Sequence, residues 1–298
     1  MLEFHIISEN DMERIKKALN YSKFRGCEYC FANNFAWRRL ADSRIAFFED
    51  FYIVCAFDTE SGYPEFTYPS GKGDICKVIK EMQAFSEKNN SPLIINSVSE
   101  ENLEFFKDYY GNSAEITSDE SDFDYIYSRE ALAELKGKKY HGKRNHIKRF
   151  KEMYDYEYRE IKESDFDDIY VFSSKLYNDK NGVDVESEIA EQFAINAFLE
   201  NYEKFGLKGG ILFADGKMAA YTIGEPITDD TFGVHIEKAD TSFHGAYAVI
   251  NNCFANSIDE KYKYLNREED LGIEGLRKAK RSYKPEFLLK KFTVKVNQ

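Results

Sequence analysis

The segment Tyr264-Leu-Asn-Arg-Glu-Glu-Asp-Leu-Gly-Ile-Glu-Gly-Leu-Arg-Lys-Ala-Lys-Arg-Ser-Tyr-Lys-Pro285 packs acids, bases, two glycines and a tyrosine behind an apolar stretch. Such a mixture is poor core material, because buried charge is costly unless paired. Glu268 and Asp270 could accept a proton. Arg267 and Lys280 could hold a phosphate or pair with those acids, and arginine offers the better fork for either. Gly272 and Gly275 supply backbone freedom for a loop. The segment reads as a strand end, a loop and a short helix over 274–283. Ligands of open α/β sheets sit at such strand ends.

The elements that must position this segment follow from apolar spacing. Ser8 to Asp11 reads as the cap of a helix carrying Met12, Ile15 and Leu19, followed by a second helix at 30–40. Residues 44–48 and 51–57 read as a hairpin turning at Glu49-Asp50, and 65–68 as a third strand. Gly71-Lys-Gly-Asp74 reads as a turn and cap before a helix with Ile75, Val78, Ile79, Met82 and Phe85. A strand at 92–96, a helix at 100–110 and a strand at 123–127 complete the first half.

The second half repeats the order. It has a strand at 156–161, a helix at 164–178 capped by Ser164, and a long helix at 188–205. Strands 210–214 and 217–225 flank Asp215-Gly216, a type I′ turn signal. A strand at 231–238, a helix at 245–256 and a strand at 262–266 lead into the charged segment, and 287–296 is a last strand. The polar, basic stretch 129–151, with Gly137 and Gly142, joins the two patterns, which divides the chain into domains 1–133 and 134–298.

Composition bounds the function. The 298 residues are 43% hydrophobic and 16% aromatic, enough for one large or two ordinary cores. No apolar run approaches the roughly 20 residues that span a bilayer, and the N-terminus lacks a signal-peptide pattern. A cytoplasmic location is the resulting expectation. The net charge of -12 argues against a general nucleic-acid coat. Yet 136–151 holds eight Lys or Arg and no acid, among them Lys138, Lys139, Lys143, Arg144 and Lys148. Arg277, Lys278, Lys280, Arg281 and Lys284 form a second island. Both islands suit a phosphate-bearing partner, or are solvated helix faces balanced by neighbouring acids. Cys27-Glu-Tyr-Cys30 has metal spacing but no second Cys/His pair nearby, and the five histidines show no HxxxH or HExxH spacing, so no metal is expected.

The order of elements in each half resembles the acyltransferase fold of the GNAT superfamily. The run 266–285, with Gly142-Lys-Arg-Asn-His-Ile-Lys-Arg-Phe150, is similar to the phosphatidylglycerol lysyltransferase C-terminal-domain family, which includes uncharacterised stand-alone bacterial proteins. The resemblance implies an α+β or α/β fold of two tandem GNAT-type domains, each a mixed twisted sheet flanked by helices. It also implies a transferase moving an acyl group from acyl-CoA, or an aminoacyl group from aminoacyl-tRNA. The acceptor would be an amine or hydroxyl of a small molecule, peptide or lipid headgroup. The stand-alone members lack the membrane half of the lipid-modifying enzymes, and none is read here.

The resemblance also implies site residues. A GNAT enzyme binds pyrophosphate at a glycine-rich loop opening a helix. Here that place is Ser242-Phe-His-Gly-Ala-Tyr247, with His244, Gly245, Ala246 and Tyr247 as candidates; Ser242 and Tyr247 depart from the usual Gln/Arg-x-x-Gly-x-Gly/Ala form. Glu237, ending the central strand, is a candidate base, with Glu268 and Asp270 as alternatives, and Tyr283 sits where the leaving-group acid is expected. The basic segment would reach a tRNA acceptor stem, with Tyr140 and His141 stacking on its terminal base. Two other readings stand beside this one. One is a non-catalytic binding module on a degenerate GNAT fold; the other is a tRNA-binding protein without chemistry.

Overall fold

The computed structural model describes residues 2–178 and 185–297. Two compact units emerge. One holds residues up to Phe123 together with the segment from Leu289 onward, the other Asp124–Leu288.

The first unit begins with α1 (Met12–Ser22), α2 (Phe31–Ala36), β1 (Arg44–Phe48), β2 (Asp50–Ala56), β3 (Glu65–Thr67) and β4 (Ser70–Lys72). It continues with α3 (Ile75–Lys88), β5 (Leu93–Val98), α4 (Leu103–Tyr110) and β6 (Ala114–Thr117). The second unit opens with β7 (Asp124–Ser128), α5 (Arg129–Glu134), α6 (His141–Met153), β8 (Tyr156–Glu160), α7 (Phe166–Asn178), α8 (Val185–Glu200) and α9 (Tyr202–Phe205). There follow β9 (Lys208–Ala214), β10 (Lys217–Pro226), β11 (Thr231–Ala239), α10 (Ala246–Ser257), β12 (Tyr264–Asn266), α11 (Glu274–Ser282) and β13 (Phe287–Leu289). Then β14 (Phe292–Val296) joins the first unit's sheet, between β5 and β6.

Each unit is a mixed sheet flanked by helices. The first sheet runs β1-β2-β3-β5-β14-β6, with β4 on β2; the second runs β13-β7-β12-β11-β10-β9-β8. Each sheet contains a parallel pair, β3 with β5 and β11 with β12, and a helix crosses between the partners. The boundary expected at 133/134 therefore falls at 123/124. The expected strand 287–296 is two strands in two sheets. The expected linker 129–151 carries two helices, anchored on the core by Leu132 and Phe150.

In the second unit, α10 lays Val249 and Ile250 on Leu212, Ala220 and Ala239. Further along the helix, Phe254 packs with Phe232 and Leu265. The helix is fixed at its start by Gly245, whose φ is 97°. A Cβ there would stand 2.8 Å from the His146 carbonyl oxygen on α6, so only glycine lets α6 approach this corner.

Candidate functional site

β11 and β12 pair over three residues only, Thr231 with Tyr264 through Gly233 with Asn266. Beyond them the strands part, and a cleft of about 510 Å³ lies in this unit. Its walls come from α6 (Lys143, His146), the end of β11 (Glu237), the α10 corner (Phe243 to Ala248), Arg267, and the α11 face (Gly275, Leu276, Ala279, Lys280) with Tyr283.

Glu237 and Arg267 join across the parting strands. Arg267 Nη2 donates to Glu237 Oε1 at 2.7 Å, and both side chains are about nine-tenths buried. Asn251 of α10 donates to the other carboxylate oxygen at 3.1 Å. The guanidinium lies 5.4 Å from the Tyr127 ring centre and 4.8 Å from that of Tyr283. Its Nη1 is buried without a hydrogen-bond partner. Lys143 Nζ stands 3.5 Å from the Tyr283 ring centre. Two rings and two cations thus line one wall, with one carboxylate among them. Burial first, then the Arg267 charge, pushes the Lys143 ammonium down to about 8. Burial also raises the Tyr283 phenol well above its ordinary value.

The structure separates the sequence candidates. Glu237, Tyr283, Arg267, Lys143, His244, Gly245, Ala246 and Tyr247 line the cleft. Asp270 does not. Its buried carboxylate takes a two-pronged arginine bond from Arg277 at 2.8 and 2.9 Å and a hydroxyl bond from Tyr125 at 2.7 Å. These bonds hold its carboxyl down to about 2, so it is a poor base. Glu268 accepts from His235 at 2.8 Å, away from the cleft. Lys280 lines the cleft with its stem, but its Nζ donates to the carbonyls of Arg267 (2.5 Å), Glu268 (3.0 Å) and Glu269. It pins the loop after β12 and is not open to phosphate.

The basic run divides too. Arg144 caps the carbonyls of Leu135 and Gly137. Lys148 pairs with Glu152 at 3.6 Å. Lys138 and Lys139 are exposed. Tyr140 is buried and offers no ring to a base. Only Lys143 of the five candidates enters the cleft. Asn251 and His146 escaped the sequence reading. An asparagine on the apolar face of a helix was the available signal for the first; the second had none.

A mixed sheet with a parallel pair bridged by a helix, present in both units, is the fold of tandem GNAT proteins. A tandem GNAT protein from the clavulanic acid biosynthesis pathway superposes with a TM-score of 0.51 at 12% identity, covering 100% of this chain and 99% of that one. Residues 19–295 match the family described as phosphatidylglycerol lysyltransferase, C-terminal, and the chain belongs to that family. A conserved protein of unknown function from Bacteroides thetaiotaomicron is 39% identical over the full length of both chains, with a TM-score of 0.91. The L-PGS structure from Bacillus licheniformis gives 0.66 at 16% identity, over 98% of this chain and 93% of that one. Among the described residues no helix is long and apolar enough to cross a membrane.

Proposed function

We propose that the protein is an aminoacyltransferase whose cleft in the second unit receives the aminoacyl end of a charged tRNA. The observation that carries this reading is the double use of α6. The helix sends Lys143 into the cleft, while Lys148, Arg149 and Lys151 lie exposed outside it. A polyanion drawn to that outer face would bring its 3′ end to the cleft mouth. The family's name, a lysyltransferase, agrees with an aminoacyl donor.

Acyl-CoA fits less well as donor. At the α10 corner Ser242 and Tyr247 depart from the usual phosphate-loop residues, and the Gly245 backbone faces the His146 carbonyl oxygen, which would repel a phosphate on that side. The acceptor is an amine or hydroxyl on a small molecule, peptide or lipid headgroup. A second reading, a binding module without turnover, draws on Glu237, both of whose oxygens are already bonded.

A thermal-shift titration separates these readings, because a ligand that binds only the native state raises the midpoint. A response to charged tRNA exceeding that to uncharged tRNA supports aminoacyl transfer. A response to acetyl-CoA alone redirects the reading to an ordinary acyltransferase. Silence from both leaves the binding module.

A further inference from the structure

A transfer to an amine or hydroxyl needs one group that takes a proton and returns it. The carboxylates of the cleft are engaged. Glu237 accepts from Arg267 through Oε1 and from Asn251 through Oε2. Asp240 accepts from the amide and hydroxyl of Ser242 at 2.9 and 2.6 Å. Lys280 is committed to three backbone carbonyls. The Tyr283 and Tyr247 phenols are both raised by burial, so neither gives an anion near neutral pH. His146 and His244 stand exposed on the rim.

Lys143 differs from all of these. It is the half-buried basic side chain of a helix whose Arg144, Lys148, Arg149 and Lys151 are exposed. Its ammonium faces a ring at 3.5 Å, and among the described residues it has no carboxylate or hydrogen-bond partner. The Arg267 guanidinium lies 4.8 Å from the centre of the same ring and 5.4 Å from that of Tyr127. We propose that Lys143 is the catalytic base of this cleft, the amine that takes the acceptor's proton and passes it to the leaving group. The proposal rests on the aminoacyl-transfer reading above.

The chemistry follows from the surroundings. Burial strips water from Nζ, and Arg267 opposes a second positive charge nearby; Glu237 and the Tyr283 face pull the other way, and Glu237 is itself held by Arg267. An amine desolvated beside another cation is available in its neutral form, and the shift of Lys143 down to about 8 agrees. In the step, the acceptor nitrogen or oxygen bonds to the acyl carbon and gives its proton to neutral Nζ. The acyl carbon's bond to the ribose oxygen then breaks, and the ammonium returns the proton to that oxygen. Protons and charge balance without another reactant.

Lys143→Arg is the discriminating variant. Arginine keeps the charge and the stack on Tyr283 but stays protonated in proteins. The assay is release of labelled amino acid from charged tRNA to the acceptor by the full chain, read as kcat/KM from pH 6.5 to 9.5. The wild-type rate is expected to rise with pH through about 8. Lys143→Arg is expected to lose about 10²–10⁴-fold while binding tRNA and melting as the wild type does. Lys143→Met is expected to lose as much or more. An arginine variant within about threefold of wild type, or a wild-type profile flat across this range, overturns the base role. A wild type inactive with every charged tRNA overturns the transfer reading itself, a different failure, and removes the base with it.

Discussion

Arg267 reaches Glu237 at 2.7 Å across the point where β11 and β12 stop pairing. The bond closes the floor of the cleft with two groups that sequence alone would assign to opposite tasks, a phosphate ligand and a base. Breaking a buried pair on one side costs about 3–5 kcal/mol, because it strands a charge. Arg267→Met is expected to destabilise by that order in urea unfolding, and Arg267→Met with Glu237→Leu to recover most of it. A double-variant loss equal to the sum of the two single-variant losses would show that the pair is uncoupled.

Asp270 predicts an acid limb in the stability. Its folded-state carboxyl is held down to about 2, chiefly by Arg277, below its ordinary value. A depressed carboxyl contributes stability above its unfolded value, and that contribution is lost as pH falls through its folded value. The melting temperature should therefore drop between about pH 4 and pH 2. Asp270→Asn should flatten that limb. It should also cost about 1.5–3 kcal/mol at pH 7 through weakened charged hydrogen bonds. An unchanged limb in the variant would place the titrating group elsewhere.

Gly245→Ala tests the corner of α10. The residue has a φ of 97°, and a methyl group would meet the His146 carbonyl oxygen at 2.8 Å. A cost of about 1–3 kcal/mol is expected, read as a fall in melting temperature. Gly142→Ala, where nothing lies within 4 Å of the added carbon and the backbone is helical, should leave it unchanged or raise it.

Much of the fold is legible from local pattern. The turn at Asp215-Gly216 has φ of 49° and 73°, the left-handed pair its sequence demands. The helix after Ile273 starts and stops within a residue of expectation. The last strand is not legible as two. Phe287–Leu289 and Phe292–Val296 share one apolar run, and only the pairing of distant strands sends them to different sheets. Residues 129–151 pass for a linker because α5 and α6 are mostly polar, with tertiary packing at Leu132 and Phe150 holding them. The charged segment contributes Arg267, Lys280 and Tyr283 to the cleft lining, but which of its charges face the cleft was hidden. Lys280 turns back to three carbonyls and Asp270 to Arg277, whereas Lys143, one base among eight in its run, turns inward.

The outer face of α6 should behave as an electrostatic contact. Binding of tRNA should weaken with salt, with a log–log slope near -0.7 to -0.9 per phosphate neutralised. Replacing Lys148, Arg149 and Lys151 with alanine should make that slope shallower by about 2, with melting unchanged within a degree or two. A slope untouched by the three substitutions would move the RNA contact off this helix.

The most direct measurement compares dissociation constants for uncharged tRNA and an amide-linked aminoacyl-tRNA, in the wild type and in Ala279→Trp. Ala279 is an exposed residue on the cleft wall, so tryptophan fills the cleft without disturbing the core. The aminoacyl form should bind the wild type at least about tenfold tighter, or 1.4 kcal/mol. Ala279→Trp should erase that difference while keeping the affinity for uncharged tRNA. Equal binding of both forms by the wild type, or a preference that survives the filled cleft, would contradict an aminoacyl site between α6, α10 and α11.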